Sequence, residues 1–290
     1  MITTKKYVKS ILPVIEETAD KYSRGHLFVI AGSYGMAGAA ILCIRAAFAA
    51  GVGYVTAAMP ESIYPIVTAA VPEAVCLPYD PANMQEAESR FEKVFERCDA
   101  VVFGPGIGTL RDTLAPIVFS KVKKPLLIDA DGLNALALLR QGLTEQEIPS
   151  GFFASCDVVL TPHEGECGRL LGRDRAYVHE NRAEAAKQLS AEFSSTALLK
   201  GPKTLIFDVL KGLEAENPTG CAALARAGSG DVLSGVIGSL MAQGVRGFDA
   251  AAAGAYIHGL AGEKCRETIG VRSTMPGDLI NALKKTDSFL

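Results

Sequence analysis

Short apolar runs alternate with segments of helical periodicity along most of the chain. The apolar runs end near a glycine, a proline or a polar residue and cover residues 27–31, 54–58, 100–103, 126–130, 158–161 and 196–200. Runs that are apolar throughout are typical of strands buried on both faces of a parallel sheet. The segments between them, such as residues 37–50 and 180–193, have apolar residues at helical spacing or are rich in helix formers. The alternation predicts an α/β fold with an open, mostly parallel sheet flanked by helices.

The last third of the chain has a different pattern. Residues 196–200 and 204–208 predict a hairpin, and a glycine-rich turn then leads into three predicted helices, at residues 231–243, 249–265 and 276–285. No long linker rich in Ser, Pro or Gly divides the chain, and no internal repeat is present. We therefore predict a single domain over residues 1–290 with a helical C-terminal third.

Glycine-rich and polar segments follow four of the predicted strands. They are residues 32–35, 104–108, 129–131 and 161–166. Ligands of open α/β sheets bind beyond the carboxyl ends of the strands. We therefore expect the four segments to converge on one crevice.

The segment Gly228-Ser229-Gly230-Asp231 leads into a predicted amphipathic helix. Glycines let the chain turn so that successive N–H groups face one point, and the helix dipole adds positive potential there. The segment predicts an anion hole for a transferring phosphoryl group, with Asp231 beside it as acceptor of a hydroxyl proton. The alternative is an ordinary Asp N-cap after a loop.

His163 and Glu166 are three residues apart, just after a predicted strand, and would lie on one helical face. Glu166 suits a magnesium ion held through water, and His163 suits a hydrogen bond to substrate. The alternative is a helix start whose acidic residues interact with the dipole. Residues 104–108 lack the GxGxxG spacing and predict either a close backbone approach to a flat ring or phosphate, or a plain turn. His258, in an alanine-rich helix, is predicted to be structural.

A second basic segment is predicted to be a turn between two strands. It consists of Lys200, Gly201, Pro202, Lys203 and Thr204. Its lysines would lie close to the phosphates or ribose of a nucleotide. A hairpin turn with solvated lysines explains the segment equally well.

Composition narrows the class of protein. The chain has 290 residues, of which 49% are hydrophobic, enough for one large core. The 29 basic and 32 acidic residues give a formal net charge of -3, and no Lys/Arg run suggests nucleic acid or membrane as a partner. Seven cysteines are scattered singly, which predicts reduced thiols, and the N-terminus has no secretory signal pattern. We therefore expect a cytoplasmic protein that binds a small or anionic ligand locally.

Between residues 25 and 279 the chain resembles the ADP- or ATP-dependent NAD(P)H-hydrate dehydratases of the ribokinase superfamily. The resemblance rests, in order, on residues 31–40 (AGSYGMAGAA), 104–108 (GPGIG), 129–134 (DADGLN), 160–166 (LTPHEGE), 199–201 (LKG), 217–220 (NPTG) and 228–231 (GSGD). The ordered set is far more specific than any one of its pieces. It implies a ribokinase-like fold and a lyase of metabolite repair. The reaction would dehydrate the S epimer of hydrated NADH or NADPH while ADP (or ATP) becomes AMP (or ADP) plus phosphate.

The resemblance also implies roles for individual residues. The hydrated nicotinamide nucleotide would be contacted by Ala39, Gly106, Gly108, His163 and Asp231. Asp231 would act in catalysis with the anion hole of Gly228, Ser229 and Gly230. The phosphoryl donor would be contacted by Lys200, Gly201, Pro202, Lys203, Thr204 and Gly230. Glu166 would hold Mg2+, and the protein would be a homo-oligomer.

Two positions depart from the family pattern. Cys221 stands where Asn is usual, and Arg226 stands where Thr is usual, which adds a cation next to the predicted anion hole. The epimerase domain that some relatives carry is not expected here, because the first motif begins near the N-terminus. A separate NAD(P)H-hydrate epimerase would then convert the other epimer.

The expected chemistry follows from leaving-group ability. Hydroxide leaves the hydrated ring poorly, whereas phosphate leaves well with help from the ring nitrogen. Because a carboxylate stabilised by a helix dipole is a weak base, we expect positioning of Asp231 to matter more than its basicity. One rival is a vitamin-precursor hydroxymethyl kinase, but residues 163–166 (HEGE) replace the Asn-x-x-Glu of many such kinases. The other is a non-catalytic nucleotide sensor, which the intact residues 228–231 disfavour.

Overall fold

A computed structural model describes residues 1–140, 142, 153 and 156–290. Its strands are β1 (His26–Ile30), β2 (Tyr54–Pro60), β3 (Val75–Tyr79), β4 (Ala100–Phe103), β5 (Leu126–Ile128), β6 (Val158–Leu160), β7 (Thr196–Leu199), β8 (Leu205–Asp208) and β9 (Leu213–Glu216). The helices before β7 are α1 (Lys5–Ile11), α2 (Ala37–Ala49), α3 (Tyr64–Ala70), α4 (Met84–Arg97), α5 (Arg111–Lys121), α6 (Asp131–Arg140), α7 (Glu164–Leu171), α8 (Arg175–Glu180) and α9 (Arg182–Glu192). The later helices are α10 (Ser229–Ala242), α11 (Gly247–Thr268), α12 (Pro276–Leu283) and α13 (Thr286–Phe289).

The strands form one sheet in the order β3-β2-β1-β4-β5-β6-β7-β8-β9. Strands β1 to β7 are parallel, and β8 and β9 continue the sheet as antiparallel neighbours of β7 and β8. The predicted parallel sheet with a hairpin at its end is therefore confirmed.

The core lies on both sides of the sheet. In β1, Leu27 and Val29 pack into the cluster that contains α2, α10 and α11, whereas Phe28 and Ile30 pack into the cluster on the other face, with α4 to α7. Successive side chains of a strand point to opposite faces, so both faces of β1 are buried. This double burial explains why the central strands are apolar throughout instead of alternating.

The two edge strands, β3 and β9, were not predicted from the sequence. Strand β3 contains Pro78 and is mostly half-exposed, and β9 contains Glu214 and Glu216. An edge strand has one free side and tolerates proline and charge, so it lacks the continuous apolar run that marks a buried strand.

Some predicted helix bounds were wrong. The helix predicted over residues 180–193 begins at Arg182, because the chain leaves helical geometry at Asn181, between α8 and α9. Helix α10 begins at Ser229, two residues before the predicted start, and α11 begins at Gly247.

The thiols of Cys43, Cys98, Cys167 and Cys265 are buried. Within the residues that the structure describes, no helix has the length and apolar character needed to cross a membrane.

Candidate functional site

The crevice lies where the strand order reverses, between β1 and β4. The chain leaves these neighbouring strands toward opposite faces of the sheet, which opens a gap at their carboxyl ends. The segments that follow the strands meet there: Gly32 N–H donates to the carbonyl of Pro105 (2.8 Å), and Asp129 N–H donates to that of Phe103 (3.1 Å). The structure thus brings the predicted strand-end segments together.

A buried ion pair occupies the floor of the crevice. Nζ of Lys200 lies 2.8 Å from Oδ1 of Asp129 and 3.7 Å from Oε2 of Glu166, and the hydroxyl of Ser234 donates to Oδ2 of Asp129 (2.7 Å). Burial would raise the pKa of Asp129, but the charge of Lys200 and these hydrogen bonds hold it below its usual value. Although burial opposes it, the charges of Asp129 and Glu166 raise the pKa of Lys200. Both partners are therefore charged at neutral pH.

The start of α10 faces this ion pair. Gly228 caps the helix with φ +92°, a left-handed conformation that glycine adopts without strain. Ser229 N–H donates to the carbonyl of Arg226 (3.1 Å), whereas the N–H groups of Gly230 and Asp231 have no partner among the described residues. A Cβ at Gly230 would lie 3.6 Å from Nζ of Lys200. The predicted anion hole thus reduces to two free N–H groups beside a lysine.

Asp231 is the third residue of α10, and its pKa contradicts the expectation of a weak base. Burial, followed by the nearby charge of Asp129, raises the pKa of Asp231 to about 7, although Lys200 acts in the opposite direction. Among the described residues, burial and nearby charges set this pKa, without a contribution from a hydrogen bond to the carboxylate. A carboxylate of this pKa is a far better proton acceptor near pH 7 than an ordinary aspartate.

A second wall is formed by the predicted substrate-binding glycines. A Cβ at Gly106, which has φ +64°, would lie 2.6 Å from Cβ of Ala39, so only glycine allows this approach. The N–H of Gly108 donates to Oδ2 of Asp131 (2.8 Å), and the hydroxyl of Ser33 donates to the carbonyl of Gly106 (2.8 Å). Ala39, Gly106 and Gly108 therefore form one continuous surface.

His163 and Glu166 form the N-terminal capping box of α7. Nδ1 of His163 accepts from the N–H groups of Gly165 (3.0 Å) and Glu166 (3.1 Å), and Oε2 of Glu166 accepts from His163 N–H (2.8 Å). With Nδ1 occupied as an acceptor, the ring proton is assigned to Nε2. Burial lowers the pKa of His163, so its half-exposed ring is a neutral donor.

Residues 200–204, the turn predicted to contact the phosphoryl donor, contain one lysine that points inward and one that points to solvent. Lys200 points to Asp129 on the crevice floor, so the alternative prediction of a turn with solvated lysines is wrong for this residue. The side chain of Lys203 is 78% exposed, with Nζ 3.9 Å from Oε1 of Glu216. Gly201 and Pro202 are exposed, and the hydroxyl of Thr204 donates to the carbonyl of Gly201 (3.0 Å).

Arg226 is exposed and binds a neighbouring loop. Its guanidinium donates to the carbonyl of Arg272 (2.7 Å) and to Sδ of Met275 (3.3 Å). It therefore ties the segment before α10 to the segment before α12. Cys221, the other departure, is half-buried before a short 3-10 turn over Ala222–Leu224.

Three contributors to the site were not assigned a role from sequence. Asp129 and Ser234 complete the ion pair with Lys200. His258, predicted to be structural, is buried with Nε2 3.2 Å from the hydroxyl of Ser229. The position of Asp129 directly after a buried strand was a usable signal. For Ser234 and His258 nothing in the local sequence marks the contact.

The carboxylates do not form a protein cage for a metal ion. No group of three or more His, Cys, Asp or Glu residues suited to metal binding occurs in the described part of the chain. Oε2 of Glu166 already accepts a backbone N–H and faces Lys200, and Oε1 lies 3.5 Å from Nε2 of His163, so this carboxylate suits contact with a metal ion through water. The site thus fits a magnesium ion that is held mainly by donor phosphates and water.

Comparisons with known proteins agree with this geometry. The family model for NAD(P)H-hydrate dehydratases matches residues 27–285. An ADP-dependent (S)-NAD(P)H-hydrate dehydratase of Neisseria meningitidis is 37% identical over 93% of this chain and 87% of its own length. A bifunctional NAD(P)H-hydrate repair enzyme of Moorella thermoacetica is 37% identical over 97% of this chain and 53% of its own length. The chain thus spans about half the length of such bifunctional relatives.

Solved structures show the same fold. The ADP/ATP-dependent NAD(P)H-hydrate dehydratase of Bacillus subtilis, co-crystallised with ATP and Mg2+, is 25% identical with a TM-score of 0.82, over 99% of this chain and 98% of that chain. A hydroxyethylthiazole kinase of Pyrococcus horikoshii is 18% identical with a TM-score of 0.63, and the match covers 97% of this chain and 92% of the kinase chain. At this identity the likeness shows the fold alone. Because the family model matches most of the chain, the chain belongs to the NAD(P)H-hydrate dehydratase family.

Proposed function

We propose that this protein dehydrates the S epimer of hydrated NADH or NADPH and restores NAD(P)H, with ADP as phosphoryl donor and ATP as an alternative. The named relatives support this activity. The observation that carries the proposal is Asp231, a carboxyl group with a pKa of about 7. It lies beside a buried lysine and two N–H groups that have no partner in the described part of the chain. These are the groups that phosphoryl transfer to a hydroxyl requires.

The first step is transfer of the terminal phosphoryl group of the donor to the ring hydroxyl. Asp231 accepts the hydroxyl proton while the oxygen attacks phosphorus, and the N–H groups of Gly230 and Asp231 bind the phosphoryl oxygens. The bond to the departing AMP or ADP breaks. The ring then carries a phosphate in place of the hydroxyl.

The second step is elimination. The phosphate leaves with its electron pair as the ring nitrogen donates its lone pair, and the neighbouring ring carbon then loses a proton. The surface of Ala39, Gly106 and Gly108 binds the flat ring, and Nε2 of the neutral His163 donates a hydrogen bond to the substrate. These residues orient the ring so that its hydroxyl faces Asp231.

The donor is bound on the other side of the ion pair. Lys200 and Gly230 face its phosphates, and the backbone and side chains of residues 201–204 contact the rest of the nucleotide. A magnesium ion that arrives with the donor would be held by its phosphates and, through water, by Glu166. When bound, such an ion supplies charge neutralisation for the transferred phosphoryl group.

The assay of this proposal follows the reduced-nicotinamide absorbance. The protein is incubated with hydrated NADH, magnesium and either ADP or ATP. Recovery of absorbance together with release of AMP or ADP and phosphate supports repair. A phosphorylated product without NADH would identify a kinase, and nucleotide binding without turnover would identify a sensor.

Partners and location are also part of the proposal. We propose a homo-oligomer. We also propose that it acts together with an NAD(P)H-hydrate epimerase activity, a pairing that the bifunctional repair enzymes among its relatives support. The buried thiols of Cys43, Cys98, Cys167 and Cys265 support a reducing, cytoplasmic environment.

A further inference from the structure

His258 is a buried polar residue in the middle of α11, next to the start of α10. It is 6% exposed, and its Nε2 lies 3.2 Å from the hydroxyl of Ser229, which is 5% exposed. The backbone of Ser229 also lies close enough to the ring to raise its pKa, against the larger effect of burial. A buried polar ring with two interactions at one residue restrains that residue strongly.

Ser229 is the residue on which the geometry of the anion hole depends. Its C=O and the N–H of Gly230 belong to the same planar peptide group, so the orientation of one determines that of the other. The N–H of Gly230 is one of the two free donors of the hole. Ser229 N–H is itself bound by the carbonyl of Arg226. Ser229 is thus held at its amide by Arg226 and at its hydroxyl by His258.

We infer that His258 is a positioning residue of the anion hole, which acts on the transferring phosphoryl group through Ser229 and the N–H of Gly230. The inference rests on the proposed function, because it assigns His258 to the phosphoryl-transfer step. His258 does not contact substrate or donor in this arrangement. Its effect is to hold a donor N–H in the direction that the transition state requires, where small displacements have large effects on rate.

The charge state of the ring fits this role. Burial lowers the pKa of His258 to about 4, and the positive charge of Lys200 acts in the same direction. The ring is therefore neutral near pH 7 and places no charge beside the donor phosphates. The pH dependence of the reaction near neutral pH is therefore set by Asp231 and not by His258.

The test compares His258→Ala with His258→Gln and Ser229→Ala. Glutamine reaches about as far as Nε2 and keeps a hydrogen-bonding group there. His258→Ala should lower kcat by about tenfold or more while KM for the hydrate changes by less than about threefold, because a displaced hydrogen-bond donor weakens the transition state selectively. His258→Gln should recover a substantial part of kcat. The double variant His258→Ala/Ser229→Ala should lose no more than the worse single variant, since the two residues act as a unit.

Ile257→Ala is the matched control. Ile257 precedes His258 on α11 and lines a cavity of about 260 Å³ with Leu240 and Gln243, at the far end of α10 from the anion hole. This variant should lose stability comparably through its cavity but keep kcat. The inference is wrong if folded His258→Ala keeps kcat within twofold of the parent, or if the effects of the two single variants multiply. Absence of turnover in the parent would instead reject the proposed function.

Discussion

The carboxyl group of Asp231 is subject to two opposing influences. It lies in the first turn of a helix, where a negative charge is stabilised, yet burial and Asp129 raise its pKa to about 7. At neutral pH it is therefore a mixture of the charged and the neutral form. Because the charged form of such a group is not strongly favoured over its neutral form, it readily accepts a proton from a hydroxyl.

Replacement of Asp231 by asparagine tests this role. Asp231→Asn should lower turnover by about a hundredfold or more, the scale for loss of a positioned general base. Folding and ADP binding should be retained, because asparagine is nearly isosteric. Recovery of NADH from its hydrate measures turnover, and calorimetry measures ADP binding. A variant that repairs the hydrate at nearly the parent rate would leave Asp231 as a helix-terminal residue and make Asp131 the next candidate.

The same variant has a pH-dependent effect on stability. The pKa of Asp231 is about 7 in the folded state and near 3.8 when unperturbed, so the folded state binds more protons between these pH values. The parent therefore loses stability as pH rises through this window, whereas Asp231→Asn lacks this loss. The melting temperature of Asp231→Asn relative to that of the parent should be higher at pH 8 than at pH 5. A pH-independent difference would contradict the raised pKa.

At the scale of elements, the turn from β7 to β8 offers a contrast between two lysines. Lys200→Ala would leave the buried carboxylate of Asp129 unpaired, which costs about 3 kcal/mol or more. It should also weaken ADP or ATP binding more than binding of the hydrate. Lys203→Ala removes an exposed lysine whose ion pair is long, so stability should change by less than about 0.5 kcal/mol. Denaturant unfolding and calorimetry measure these effects, and a stronger loss of hydrate binding in Lys200→Ala would reject the donor role.

Arg226 links the start of α10 to the segment before α12. If its guanidinium also reaches the donor's phosphates, Arg226→Thr should raise the Kd of ADP and ATP or change the preference between them. Loss of the bond to Arg272 should loosen the neighbouring loop as well. Binding constants for both donors are the measurement, with Arg272→Ala as a control that keeps the backbone acceptor. Unchanged constants for both donors would show that Arg226 only anchors the loop.

At the scale of the whole molecule, one prediction concerns the substrate epimer. With a mixture of R and S hydrates and excess ADP, recovery of NADH should stop once the S epimer is consumed. Addition of an NAD(P)H-hydrate epimerase should restart it, because the remaining epimer then becomes substrate. Complete recovery without epimerase, at a rate faster than spontaneous epimerisation, would show that the crevice does not discriminate between the epimers.

Much of the architecture follows from local sequence. The central strands are continuous apolar runs because both of their faces are buried, and the strand-end glycines lie at the carboxyl edge where such sheets bind ligands. The start of α10 was predictable within two residues because glycine before a polar helix start is a local signal. The edge strands β3 and β9 were not predictable, because partial exposure removes the apolar pattern.

What only the tertiary structure decided is the electrostatics of the site. Lys200 and Asp129 are 71 residues apart in the chain, and His258 is 29 residues from Ser229. Burial and contact between such distant residues turn Lys200 inward and raise the pKa of Asp231, and both effects depend on desolvation that no local pattern records. The sequence by itself determined which groups reach the crevice, since strand ends and glycines are local. Their charge and direction depend on which other buried groups the fold places next to them.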